Sequence, residues 1–125
     1  MQNPKTVEIR LDGSVPSKKN SRINRFDGKS FPSKKYSEWH KYAIQQVRLQ
    51  TRARFFKPVS IHATIIFGTN VRADIDNRLT SILDMLTDAL VICDDKWQSV
   101  PEISASAQYD KGKPGAIIII EELDN

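Results

Sequence analysis

From Thr6 to Leu11 the chain alternates apolar Val7, Ile9 and Leu11 with charged Glu8 and Arg10, the period of a strand buried on one face. Asp12-Gly13 ends it. Residues 13–32 then hold Gly13, Pro16 and Gly28 among Ser, Asn and basic residues, and read as a long loop with room for a short hairpin. A stretch of this length inside a compact domain is more often functional than idle. Ser33 is placed to cap a helix over 34–52, in which Tyr36, Trp39, Tyr42 with Ala43, and Val47 recur at three- and four-residue spacing. Val59, Ile61, Ala63, Ile65 and Phe67 share one face of a strand over 59–67, predicted to be central. Leu79, Ile82, Leu83, Leu86 and Leu90 fall on one arc of a second helix over 77–91.

Two strands follow. Ile103, Ala105, Ala107 and Tyr109 alternate with Ser104, Ser106 and Gln108, and Ala116 to Glu122 is a further apolar strand. The turn-rich segment 110–115 between them predicts a hairpin. The element order β-α-β-α-β-β predicts an α+β fold: a single small domain over 1–125, with two helices on a mixed sheet of about four strands and a long loop at 13–32.

Composition narrows the class. With 125 residues, 39% hydrophobic and 27% charged, the chain is one ordinary domain. The longest apolar run, Ala116 to Ile120, is far too short to span a bilayer, and Met1 to Arg10 lacks a signal peptide's apolar core. Cys93, the single cysteine, has no internal partner, which fits a reducing compartment. A cytoplasmic protein without a membrane partner is expected.

The net charge of +4 conceals a split. Residues 1–58 carry a balance of +10 and residues 59–125 one of −6. A basic half suggests a polyanion, and the acidic half suggests either metal binding or plain solvation. The acidic groups bracket the second helix. Asp74-Ile75-Asp76-Asn77 opens it and Asp94-Asp95 follows it. Three converging carboxylates would make an oxygen-only site suited to Mg²⁺ and to phosphodiester hydrolysis. Equally, Asp76 could cap the helix and Asp94-Asp95 could be a solvated turn. A helix of this length, about 20 Å, separates the two pairs, so only the tertiary fold could join them.

The segment Asp74 to Val100, DIDNRLTSILDMLTDALVICDDKWQSV, resembles the RusA family of Holliday-junction resolvases, in which D-x-D-N opens a helix and a D-D pair follows at this distance. Pro16-Ser17-Lys18-Lys19-Asn20-Ser21 is similar to that family's early loop. The resemblance implies a homodimeric, Mg²⁺-dependent endonuclease, with Mn²⁺ as an alternative ion, that nicks four-way DNA junctions symmetrically. It implies Asp74, Asp76 and Asp95 as metal-binding and catalytic carboxylates, with Asp94, Asn77, Asp84 and Lys96 supporting them. Branched DNA would meet Lys18, Lys19, Asn20, Arg22, Arg25, Lys29, Lys34, Lys35 and Arg72. Phe26 and Phe31 in the basic loop are candidates to wedge against bases.

Two positions depart from the family's pattern. Thr80 stands where the family commonly has a lysine, and Ala73 stands where a basic residue precedes the first Asp, with Arg72 one place earlier. Lys96, beside Asp95, is the better substitute cation, since Arg78 is turned about 200° from Asp76 along the helix. A non-catalytic basic DNA-binding or recombination accessory module, or a nuclease for other branched DNA, stays open beside the resolvase. His40 and His62 have no Cys or His at metal spacing, and Cys93 reads as a small core residue.

Overall fold

The computed structural model describes residues 5–17, 22–24 and 30–123, with backbone alone at 22–24 and 30–32. Its elements are β1 (Thr6–Asp12), β2 (Arg22–Asn24), β3 (Ser30–Pro32), α1 (Lys34–Gln50), β4 (Val59–Phe67), α2 (Ile75–Asp88), β5 (Glu102–Tyr109) and β6 (Gly115–Glu122). The four-stranded sheet runs β1-β6-β4-β5, and β2 and β3 form a separate small hairpin within the long loop. This is the α+β fold expected, with two helices and four principal strands. No helix among the described residues is long and apolar enough to cross a membrane.

The start of α1 follows its capping chemistry. Ser33 stays extended and its Oγ accepts the Tyr36 amide at 3.1 Å, satisfying one donor the first turn would leave orphaned. Tyr36, Trp39, Ala43 and Val47 are buried along one stripe, whereas Tyr42 is half exposed and outside the core. Helix α2 begins two residues before its apolar period, because Asp74 is still extended and serves as the N-cap residue. It ends at Asp88, and Leu90 takes a left-handed φ of +65° that stops it.

The expected β5–β6 hairpin does not form. β6 pairs antiparallel with both β1 and β4, and β5 pairs in parallel with the far side of β4. The 110–114 turn therefore crosses the end of β4, where the Asp110 and Gly112 amides donate to the Phe67 and Gly68 carbonyls. The reason is burial. Ala116, Ile118 and Ile120 have no exposed surface to spare and take an inner position, while the more polar β5 takes the edge. At Gly115 the β1–β6 contact is so close that a Cβ would run into the Leu11 carbonyl oxygen.

Both helices lie on one face of the sheet. Ile9 and Leu11 of β1, Val59, Ile61, Ala63 and Ile65 of β4, and the three β6 residues form one core with Trp39, Ala43 and Val47 of α1 and Ile82, Met85 and Leu86 of α2. The outer edge of β1 is closed by side chains. Gln46 and Gln50, one turn apart on α1, accept the Asp12 and Arg10 amides at 2.7 and 2.8 Å and donate back to the same residues' carbonyls. These two amides occupy the hydrogen bonds a further strand would make.

Candidate active site

Helix α2 runs back along the sheet, so its two ends lie at opposite ends of β4. Asp74 and Asp76 stand at the end where β4 finishes. The segment after α2 returns to where β4 begins, as the Phe55 amide bonds to the Val91 carbonyl and the Val59 amide to the Ser99 carbonyl. Fourteen helical residues, about 20 Å, lie between the two acidic pairs. The chain's own fold thus unites Asp74 with Asp76, and leaves Asp94, Asp95 and Lys96 at the far end.

At the near end the joining residue is Asn77. Its side-chain amide donates to Asp74 Oδ2 at 3.3 Å and its backbone amide to Asp76 Oδ1 at 2.9 Å. Asp74 makes no side-chain capping bond, so its carboxylate faces outward, and both carboxylates are exposed. Both stand at the positive end of the helix dipole. Two exposed, oxygen-only carboxylates held by one asparagine form a hard donor set of the kind that takes a water-rich Mg²⁺ or Mn²⁺ together with a phosphate oxygen.

The cation beside Asp74 is Arg78. Its guanidinium donates to the Asp74 carbonyl at 2.9 Å and lies over the Phe67 ring, 5.4 Å from the centroid. Arg78 therefore reaches back toward Asp74 along the helix, against the expectation drawn from its angle to Asp76. Lys96, the expected substitute, is at the other end of α2. A groove of about 290 Å³ runs from Arg78 past Phe67 and Gly68 to Lys35 and the buried segment Val15-Pro16-Ser17. A second, open depression joins Arg72, Ala73, Asp74 and Arg78. Thr80 is exposed one turn on, its hydroxyl donating to the Asp76 carbonyl.

At the far end, Asp94 Oδ1 accepts the Lys96 amide at 2.9 Å and shapes the turn, while Asp95 is exposed. Cys93 is exposed and not a core residue, with its Sγ 3.5 Å from the Phe55 carbonyl. Lys34 is exposed and 3.9 Å from Glu38. Lys18, Lys19, Asn20, Arg25, Phe26 and Lys29 lie outside the described residues, and Arg22 and Phe31 are placed by backbone only.

Asp84 faces α1 and not the N-terminal site. It accepts the Tyr36 hydroxyl at 3.3 Å, and His40 Nδ1 lies 3.9 Å away, with His40 Nε2 only 2.8 Å from Asp88. Burial, and then the Asp84 charge, push the Tyr36 hydroxyl well above its ordinary pKa. Among the described residues, His40, Asp84 and Asp88 are the acid and histidine ligands that come within 4.8 Å of one another and could hold a cation. Sequence reasoning missed this cluster, although Tyr36/His40 and Asp84/Asp88 are both four-residue pairs, a spacing that stacks side chains on one helical face.

The chain is similar to known proteins. The family profile described as Endodeoxyribonuclease RusA covers residues 12–121. The chain belongs to the RusA family. A curated relative, the Crossover junction endodeoxyribonuclease RusA of Aquifex aeolicus (strain VF5), is 30% identical over 115 residues, spanning 91% of this chain and 90% of its own. The RusA match takes in both acidic pairs, Asn77, Arg78 and the whole basic loop. The protein is thus a RusA-family endodeoxyribonuclease, and Arg72, Arg78 and Lys35 line its grooves.

Proposed function

We propose that the protein, as one nuclease domain over 1–125, is a divalent-metal-dependent resolvase that nicks four-way DNA junctions in a symmetric pair, and that it acts as a homodimer in the reducing cytoplasm. The observation that carries this reading is the Asp74–Asn77–Asp76 constellation, flanked by Arg78 and Arg72, inside the family match. Asp74 and Asp76 are its metal ligands, with Mg²⁺ as the ion and Mn²⁺ as a substitute, and Asp95 is the third carboxylate. Bound there, the metal supplies Lewis-acid stabilisation and an activated water.

The chain's own side chains do the rest. Asn77 fixes the carboxylate orientation, as outer hydrogen bonds do for metal ligands generally. Arg78, held by the Phe67 ring and the Asp74 carbonyl, presents a fixed cation to the phosphate whose charge rises during cleavage. Lys35 and Arg72, with Lys18, Lys19, Asn20, Arg22, Arg25, Lys29 and Lys34, bind the backbone of the junction arms. Asp94 and Lys96 shape the turn that carries Asp95, and Asp84 fixes α2 against α1. Two nicks related by a two-fold axis require two active sites so related, which a homodimer provides.

The test is incubation of labelled four-way junction, flap and linear duplex with Mg²⁺, Mn²⁺ or EDTA. Paired nicks in the junction alone, abolished by EDTA, are expected. Cleavage confined to flaps would make the protein a nuclease of other branched DNA. Thr80 in the family's lysine position favours a second reading, a binding module for recombination intermediates. Tight junction binding without cleavage under every ion would establish that instead.

A further inference from the structure

Where α1 packs on α2, about 12 Å along α2 from Asp76, a second group of metal-ligating side chains meets. Tyr36 and His40 stand one turn apart on α1, and Asp84 and Asp88 one turn apart on α2. One ring nitrogen of His40 and one oxygen from each aspartate lie within 4.8 Å of one another. They border an open hollow of about 390 Å³, with Tyr36 and Ile44 beside them.

Protein groups alone do not satisfy His40. Its Nε2 lies 2.8 Å from Asp88 Oδ2, at hydrogen-bonding distance. Its Nδ1 is buried, has no hydrogen-bond partner among the described residues, and lies 3.9 Å from Asp84 Oδ2. With the proton on Nε2, a buried lone pair is left beside a carboxylate. With it on Nδ1, the lone pair of Nε2 meets the Asp88 carboxylate instead. With both nitrogens protonated, the Nδ1 hydrogen faces an acceptor too distant for a hydrogen bond. Buried polar atoms seldom stay unpaired, and one that does calls for a missing ligand or ion.

A divalent cation resolves the conflict. Zn²⁺, Co²⁺ and Ni²⁺ take imidazole and carboxylate together, whereas Mg²⁺ prefers oxygen alone. Bonds of about 2.1 Å let one ion span up to about 4.2 Å between opposite ligands. The 2.8 and 3.9 Å separations fall inside that range. Ligands paired at one-turn spacing on facing helices are how helical bundles hold metals. Asp88 is 57% exposed and has room to turn onto an ion. The Tyr36 hydroxyl, 3.3 Å from Asp84 Oδ2, and the Tyr36 ring, stacked 5.8 Å from the imidazole, hold the other two ligands in place.

We propose that His40, Asp84 and Asp88 bind one divalent transition-metal ion of the Zn²⁺ class, distinct from the ion at Asp74 and Asp76, and that this ion clamps α1 to α2. Because it binds the folded chain, it stabilises the fold. The two sites share no side chain, so the clamp stands independently of the nuclease reading.

The test uses tag-free, full-length protein carrying Cys93→Ser and Asp74→Asn, which removes the exposed thiol and one carboxylate of the candidate nuclease site. Stripped with EDTA and dialysed against Zn²⁺, this parent protein should retain one equivalent and melt at a higher temperature. Co²⁺ in its place should give visible absorption bands that Zn²⁺ erases and Mg²⁺ does not. Adding His40→Gln or Asp88→Ala should weaken binding more than about 100-fold, beyond the cost of losing an outer partner, and Tyr36→Phe about 10-fold. His62→Gln should leave it unchanged. Should His40→Gln fail to fold by circular dichroism, Asp88→Ala, at an exposed position in the last turn of α2, still decides. No retained equivalent in the parent protein overturns the proposal. So does Zn²⁺ affinity that survives Asp88→Ala and folded His40→Gln, or that is lost with His62→Gln.

Discussion

Ser81 Oγ donates to the Pro16 carbonyl at 2.6 Å, binding the entrance of the basic loop to the middle of α2. Ser81 has no solvent exposure, and its hydroxyl also lies 3.3 Å from the Asn77 carbonyl one turn back. The loop that carries the cations is thereby fixed to the helix that carries the carboxylates. Ser81→Ala strands the buried Pro16 carbonyl, and should cost about 1–3 kcal/mol. A lower urea midpoint, together with weaker DNA binding, is the expected result. An unchanged midpoint would show that water replaces the hydroxyl.

Asp74→Asn and Asp76→Asn preserve side-chain volume and remove a negative ligand. Each should abolish metal-dependent nicking and leave junction affinity equal or higher, since repulsion of the phosphates is relieved. Asn77→Ala removes the side-chain bond to Asp74 and frees that carboxylate to rotate, and by analogy with other outer-shell partners should lower activity about 10- to 100-fold. Asp94→Asn, which alters only a turn, should be milder. Gel-shift affinity and nicking rate, measured on the same preparations, separate the two effects.

Arg78 and the vacant lysine position make opposite predictions. Arg78→Ala should slow cleavage more than it weakens binding, because its guanidinium sits at the Asp74 end of the groove. Thr80→Lys should raise the nicking rate by placing a second cation one turn along the helix from Asp76. A Thr80→Lys protein no faster than wild type would mean that Arg78 already supplies this charge.

Binding by the basic half should weaken linearly in log salt. Lys18→Ala with Lys19→Ala should flatten the slope by roughly 0.9 for each phosphate on the duplex arms that is no longer neutralised. Lys96→Ala, at the opposite end of α2 from Asp74, should change it less. A slope unchanged by the paired substitution would remove Lys18 and Lys19 from the interface.

Tyr36 gives a pH signature. Burial, reinforced by Asp84, raises its hydroxyl pKa, so the folded state holds this proton more tightly than the unfolded chain does. The resulting stabilisation is complete below the unfolded value of about 10 and is lost as pH rises above it. Wild type should therefore lose stability between pH 9 and 11 faster than Tyr36→Phe, which has no proton to release. At neutral pH Tyr36→Phe forfeits the bond to Asp84, at a cost of about 1 kcal/mol. Denaturant midpoints at both pH values test the sign.

The elements and their faces were legible in the sequence, because strand alternation and the helical stripe depend only on neighbours a few residues apart. Ser33 as a cap, Trp39 in the core and β4 as an inner strand follow from such local patterns. The D-x-D-N motif likewise marked Asp74, Asp76 and Asn77, which lie within one helical turn. What local pattern could not fix was which strand pairs with which. A turn-rich link suits a hairpin, yet β4 came between β5 and β6 because the most apolar strand was buried in the middle of the sheet. The meeting of Tyr36 and His40 with Asp84 and Asp88 also needed α1 and α2 to pack together. Spacing already put Asp94 and Asp95 a helix length from Asp74, but it could not say whether the fold would bring the two pairs together. A rigid helix fixes the distance between its ends, and only the direction in which α2 runs along the sheet decided that this chain does not close that distance by itself.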